Sequence, residues 1–295
     1  MSPLHEPVMV PEVLTLLEPS RGGLFVDCTV GLGGHSRALL ENGADRLLGL
    51  DRDVSALALA RAALSSFGGR VELVHADYRD LGRVLDARGI DAVAGALADL
   101  GVSSMQLDEA GRGFSFRRDE PLDMRMDRTQ GPTAADLLRD VDEQALADVI
   151  FQFGEERFSR RVARAIVGAR REAAIDTTSR LAAIVRRAVP HKGHQRIDPA
   201  TRTFQALRIW VNRELEGLDG FLADATRRLR ANARLAVITF HSLEDRIVKH
   251  TFRALEKTGD GLRILTKRPL TPGDNEVARN PRARSAKLRA IERFA

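Results

Sequence analysis

Phe25 to Ser36 reads FVDCTVGLGGHS, an apolar, β-prone run closed by Asp27, then glycines at 31, 33 and 34, then the helix-like SRALLENG. A glycine turn between a strand and a helix is where backbone N–H groups and the positive end of a helix meet a ligand's polar groups. Glycine also serves any tight turn that needs positive φ, so a purely structural turn stays open at this point. What surrounds the stretch decides between the two.

The pattern repeats outward. GLFVDCTV, RLLGLDRD, VELVHADY and AVAGALADL deliver Asp27, Asp51, Asp77 and Asp99, each followed by a helix-like segment. The spacing of 22 to 26 residues is the length of one strand plus one helix. Strands alternating with helices predict a parallel sheet wound in right-handed crossovers. All four carboxylates then fall at the carboxyl edge of the sheet, where open α/β sheets bind ligands. A structural role for each, capping the following helix, is the alternative.

Two readings of the loop compete. Gly31, Gly33 and Ser36, with Asp51 about 20 residues on, approximate the dinucleotide pattern G-x-G-x-x-G. Against it, Asp27 stands four residues ahead of the first glycine and the third glycine directly follows Gly33. An acid, a short spacer and a glycine turn resembles instead the first motif of S-adenosylmethionine-dependent methyltransferases, with Asp51 as acceptor for ribose hydroxyls. Tyr78, the one tyrosine in the chain, stands where an aromatic face meets an adenine, with core packing as the alternative.

From about Leu107 the βα rhythm stops. DEAGRGFSFRRDEPLDMRMDRTQGPT has no sustained period and reads as an ordered loop or linker. Three amphipathic helices follow: one capped by Asp142 with Leu146, Val149, Ile150 and Phe153; one with Phe158, Val162, Ala165 and Ile166; one from Thr177 or Thr178 with Leu181, Ile184, Val185 and Ala188. A long helix from about Thr203 to Leu218, the strand RLAVITF, the helix LEDRIVKHTFRALEK and two β-prone runs then resume the α/β pattern. In TFHSLED, Ser242 with Asp245 suggests a capping box. The expected organisation is a sheet domain of residues 1–107 and 200–295 interrupted by an all-helical domain of residues 108–199.

The chain carries 46 lysines and arginines against 41 aspartates and glutamates, a net charge of +5, with an isoelectric point near 9.9. A basic surface favours polyanionic partners. Only five of the 46 basic residues are lysines, so where the arginines lie matters more than the total. No run of about 18 apolar residues occurs and MSPLHEPVMVPEVL lacks the form of a secretion signal, so a cytoplasmic protein without membrane contact is expected. The single cysteine, Cys28, excludes an internal disulfide and a multi-cysteine zinc site. The G-x-S-x-G elbow, H-E-x-x-H and the G-x-x-x-x-G-K-[ST] loop are absent, and no metal site is expected.

Longer blocks narrow the field. DCTVGLGGHS, LGLDRD, LADLGVSSMQLDEAGRGFSFRRDEPLDMRMD, FGEERFSRRVARAIV, TRTFQALRIWVN, ITFHSLEDRIVK and NPRARSAKLRAIER together resemble the bacterial 16S rRNA (cytosine-N4)-methyltransferase H family, RsmH or MraW, over nearly the whole chain. The resemblance implies a Rossmann-like S-adenosylmethionine-dependent methyltransferase sheet with an inserted helical domain. It implies methylation of the N4 amine of a decoding-centre cytidine in 16S rRNA of the small ribosomal subunit. Cofactor contacts carry over onto Gly33, Gly34, His35, Asp51, Tyr78, Asp99 and Gln106, the last two nearer the methyl group, and Asp99 is the candidate catalytic acceptor. One departure is Met105, where the family usually has proline before the glutamine.

An RNA target would use features that otherwise lack a role. Phe114 and Phe116 are candidates to stack on a base drawn out of its strand, or to pack inside the protein. Arg112, Arg117, Arg118 and Arg125, the arginines at 157, 160, 161, 164, 170 and 171, and the tail residues Arg282, Arg284, Lys287 and Arg289 are candidates for phosphates or simply for solvated faces. Two other classes compete: an NAD(P)-dependent oxidoreductase and a non-catalytic RNA-binding protein with a vestigial cofactor site. Four strand-end acids together with Gly33 and Gly34 argue against the vestigial reading.

Overall fold

The computed structural model describes residues 6–190 and 197–294. The chain divides into two compact units, Met1–Gly101 with Leu215–Ala295, and Val102–Glu214. Among the described residues no helix is long and apolar enough to cross a membrane.

The first unit opens with helix α1 (Val10–Leu17) and then alternates: β1 (Leu24–Asp27), α2 (Gly34–Glu41), β2 (Arg46–Asp51), α3 (Val54–Ala63), β3 (Val71–His75), α4 (Leu81–Asp86) and β4 (Val93–Asp99). The expected βα rhythm is there, and Asp27, Asp51 and Asp99 each close a strand. Asp77 sits two residues beyond β3 and caps a short 3-10 turn.

The second unit holds α5 (Ser104–Asp108), α6 (Ala134–Asp140), α7 (Glu143–Gly154), α8 (Ser159–Glu172), α9 (Thr178–Ala188) and α10 (Ala200–Asn212). Asp142 caps α7 by accepting the Ala145 N–H, and Thr177 caps α9. The apolar stripes of α7 to α10, including Leu146, Ile150, Val162, Ile166, Leu181, Val185, Phe204 and Leu207, form one core with Phe114, Leu122 and Met124 of the irregular segment.

The chain then returns to the first unit with α11 (Leu218–Arg227), β5 (Leu229–Thr239), α12 (Ser242–Lys257), β6 (Leu262–Ile264), α13 (Asp274–Arg279) and β7 (Lys287–Arg293). The helix expected to run unbroken from Thr203 to Leu218 is two helices. Arg213 and Gly217 are left-handed, at φ 51° and 68°, which ends α10 and restarts the chain as α11. The apolar stripe is divided accordingly: Phe204 and Leu207 belong to the second unit's core, Leu218 to the first unit's.

The sheet order is β3-β2-β1-β4-β5-β7-β6. β1 to β5 pair in parallel, and β7 runs antiparallel to both β5 and β6. β4, VAGALAD, is buried along nearly its whole length, as a central parallel strand covered on both faces must be. The strand order steps outward from β1 to β3 and then restarts on the other side of β1 with β4. That reversal opens a crevice beyond the carboxyl ends of β1 and β4, at Asp27 and Asp99.

Candidate active site

The crevice is built from the β1–α2 turn and the last residues of β1, β2 and β4. Asp27 is buried; its Oδ2 accepts the Ser36 hydroxyl at 2.7 Å and its Oδ1 the Thr29 N–H at 3.2 Å. Burial outweighs these bonds and pushes its carboxyl up to about 6. The Thr29 hydroxyl also accepts the Asp99 backbone N–H at 2.6 Å, tying β1 to the end of β4.

Asp99 differs from Asp27 in what its side chain receives. Its Oδ1 is buried and, among the described residues, meets no hydrogen-bond donor. Its Oδ2 lies 3.6 Å from His35 Nδ1. His35 Nε2 stands 2.8 Å from the Val8 carbonyl oxygen, so that nitrogen donates and Nδ1 turns a lone pair toward Asp99. Burial pushes the imidazole down to about 4 and keeps it neutral at pH 7. Burial, then the charges of Asp27 and Glu244, pushes the Asp99 carboxyl well above the usual range.

Asp51 turns its carboxylate onto the glycine loop: Oδ2 accepts the Gly31 N–H at 2.7 Å and Oδ1 the Asp53 N–H at 2.8 Å. Burial raises it to about 6 against those two bonds, helped by the charges of Asp53 and Asp27. Both bonds come from the backbone, so among the described residues the carboxylate has no cationic partner and it keeps lone pairs to offer.

The loop itself is shaped for close approach. Gly33, at φ 84°, is the left-handed N-cap of α2, and no side chain caps the helix. A Cβ on Gly34 would fall 2.8 Å from Pro7 Cγ, whereas a Cβ on Gly31 would meet nothing within 4 Å. The space before Gly31 is open, beside uncapped N–H groups at the positive end of α2.

Other expected site residues have partners already. Asp77 is closed by Arg79, with Nη2 at 2.6 Å and Nε at 2.8 Å, and by Arg52 at 3.6 Å. Burial alone would raise it, but the guanidiniums hold it below the ordinary carboxylate range. The Tyr78 ring packs on Phe221 with centroids 4.7 Å apart, the core contact foreseen as its alternative role. Gln106, in the second unit, completes a capping box: its Oε1 accepts the Ser103 N–H at 3.0 Å and its own N–H donates to Ser103 Oγ.

Several residues considered for RNA are structural instead. Arg112 is buried and donates to the carbonyls of Arg125 and Met126; Arg125 is held by Asp123; Arg170 donates to the carbonyls of Leu138 and Val141. Phe114 lies in the second core and Phe116 stacks edge-on against Phe204. Lys287 and the buried Arg289 both bind Asp245. His241, rather than Ser242, caps α12: its Nδ1 accepts the Glu244 N–H at 3.4 Å while Glu244 accepts the Phe240 N–H.

The reading of the sequence missed Thr29, Ser36 and Glu244. Ser36 carried a signal, a small hydroxyl one turn into a helix that follows a strand-end acid. Glu244, far along the chain and buried, carried none.

Among the described residues the strand-end carboxylates of Asp27, Asp51 and Asp99 are thus paired with no lysine or arginine. That suits a ligand bringing hydrogen-bond donors and positive charge. The chain matches the family model described as the MraW methylase family over residues 2–294. It is 54% identical to the "Ribosomal RNA small subunit methyltransferase H" of Nitrobacter hamburgensis, the alignment covering 99% of this chain and 91% of that protein. It is 51% identical to proteins of the same name from Sorangium cellulosum, covering 98% and 90%, and from Anaeromyxobacter dehalogenans, covering 98% of both. A family match from end to end and half the residues identical over near-complete lengths place this chain in the MraW methylase family.

Proposed function

We propose that the chain methylates the N4 amine of a decoding-centre cytidine in 16S rRNA of the small ribosomal subunit, with S-adenosylmethionine as donor. The buried Asp99 oxygen that meets no donor, at the point where the strand order reverses, carries this reading. The residues fit the cofactor: uncapped α2 N–H groups and the open space before Gly31 suit its carboxylate end, Asp51 its ribose hydroxyls, and the carboxylates of Asp27 and Asp99 its cationic centre. Gly33, Gly34, His35, Asp51, Tyr78, Asp99 and Gln106 are the proposed contacts.

When bound, the cofactor supplies a sulfonium-activated methyl group, so alignment and exclusion of water are the protein's main tasks. Asp99 Oδ1 accepts an N–H of the exocyclic amine, which draws that nitrogen's lone pair out of the ring and toward the donor. As the N–C bond formed and the methyl–sulfur bond broke, its electron pair staying on a neutral thioether, the amine would lose one proton, and Asp99 Oδ1 would take it. Burial and the charges of Asp27 and Glu244 raise this carboxyl, so a proton it takes is held firmly. His35, neutral and anchored to Val8, turns no N–H toward Asp99 and so leaves its proton affinity high.

Methyl transfer from labelled S-adenosylmethionine to unmethylated small subunits and to naked 16S rRNA, with nucleoside analysis, tests the reading. N4-methylcytidine is the expected product. Asp99→Ala should slow transfer about a hundredfold, the scale of losing one polar contact to the reacting group, while cofactor affinity changes far less. Transfer to another atom, or equal loss of binding and turnover, would overturn the assignment.

A further inference from the structure

The opposite edge of the sheet carries a second site. A cleft of about 620 Å³ opens where β4 and β5 begin, lined by Ala94, Arg21, Arg230, Arg234, Arg263 and Glu292. β4 runs from Val93 to Asp99, so cleft and methyl-transfer crevice are separated by about 20 Å of strand.

The charges in the cleft do not balance. Glu292 is buried and binds Arg234 Nε at 3.0 Å together with Arg263 Nη2. Glu18 binds Arg234 at 2.9 Å and also pairs with Arg21. Arg230 donates to the Gly22 carbonyl at 2.9 Å and, among the described residues, pairs with no carboxylate. Nearby Asp45 is turned to the Gly23 N–H at 2.6 Å. Four guanidiniums therefore meet two paired carboxylates, with Asp45 a third carboxylate nearby, and positive charge remains in excess.

These arginines are also held in place. Carbonyls of Asn232, Gly22 and Leu16 orient Arg21, Arg230 and Arg234, so little side-chain freedom is lost when an anion arrives. Each guanidinium offers five donors, more than the neighbouring groups consume. A tetrahedral anion with several acceptor oxygens is the matching ligand.

We propose that this cleft binds a phosphodiester of the RNA substrate remote from the methylated base, so that the enzyme grips a folded RNA at two places. The proposal rests on the RNA reading above.

The test uses full-length Arg230→Gln and Arg263→Gln, singly and combined, with Arg230→Lys as the charge-preserving control. Affinity for unmethylated small subunits and for 16S rRNA is measured by filter binding across salt concentrations, beside melting temperature, cofactor affinity and methyl transfer. Each lost contact should flatten the plot of log affinity against log salt by about 0.7 to 0.9. For Arg230→Gln, KM for RNA should rise with kcat, cofactor affinity and melting temperature unchanged, and Arg230→Lys should keep the slope; Arg263→Gln also takes a partner from the buried Glu292 and should lower the melting temperature.

Wild-type slope and KM in the double variant, with methylation intact, would overturn the cleft and leave the reaction standing. Loss of slope in the variants, with a wild type that forms no N4-methylcytidine, would overturn the reaction and leave the cleft. Binding of inorganic phosphate that Arg230→Gln abolishes, with RNA affinity unchanged, would overturn RNA as the occupant.

Discussion

Two clusters of buried charge, one in each unit, are handled in opposite ways. In the second unit Arg112 donates to two carbonyls, Asp123 is bound by the backbone N–H, Nε and Nη2 of Arg125, and Asn212 joins the Met126 N–H to the Met124 carbonyl. In the first unit Asp27, Asp51 and Asp99 close three strands; the first two receive hydrogen bonds from backbone and one hydroxyl, Asp99 Oδ1 receives none, and among the described residues no arginine binds them. Charge met by the chain's own counter-groups fastens an irregular segment. Charge left unmet costs free energy, and a fold retains it at positions that await a ligand.

The largest expected effect comes from breaking the second unit's cluster. Arg112→Met keeps an unbranched stem but leaves two carbonyl oxygens and Glu109 without their donor, which should cost about 3 to 5 kcal/mol. Trp210, the one tryptophan, packs against the same core and reports its unfolding by fluorescence in urea. A loss below about 1 kcal/mol would mean that water replaces the guanidinium at little cost, and the contrast between the clusters would fail.

Next in size is the effect of pH on the strand-end cluster. Asp27 stands near 6 in the folded chain, against about 4 unfolded. Between those values the folded state binds more protons, so stability falls as pH rises from about 4 to about 6 and is fully reduced above that window. For Asp27 the limit is about 3 kcal/mol. Asp27→Asn, which can still accept from Thr29 and donate to Ser36, should flatten that fall in a series of melting temperatures from pH 4 to pH 7. Parallel curves for wild type and variant would show that Asp27 ionises on both sides of the transition alike.

The same distinction explains how far the sequence could be read. Strand-end acids at 22 to 26 residue spacing were legible because a βα unit has a nearly fixed length. Asp142 and Thr177 were legible as caps because capping depends on neighbours three residues away. The break at Arg213 was not, because an arginine in the left-handed region has no composition signal and the apolar stripe continues across it. Nor were the partners of Arg112, Arg170 and Arg289 legible. An arginine run looks the same whether its guanidiniums face solvent or reach inward to carbonyls, and which occurs is settled by tertiary packing. Open acids and closed acids are likewise identical letters.

Asp51 and Asp77 make the smallest and sharpest comparison, two acids at neighbouring strand ends in one unit. Asp51 receives two backbone N–H groups and no cation; Asp77 is clasped by Arg79 and approached by Arg52. If open lone pairs are what a ligand uses, Asp51→Asn should weaken S-adenosylmethionine binding about tenfold, or 1.4 kcal/mol, beyond whatever melting temperature it loses by setting its amide NH2 against one backbone N–H. Asp77→Asn should leave binding within about twofold and instead lower the melting temperature, since it strips Arg79 of a two-point partner. Calorimetric titration and thermal unfolding of both variants decide it. Equal losses of affinity would show that the clasp at Asp77 serves the cofactor site as much as the fold, and that satisfaction by arginine does not separate the two roles.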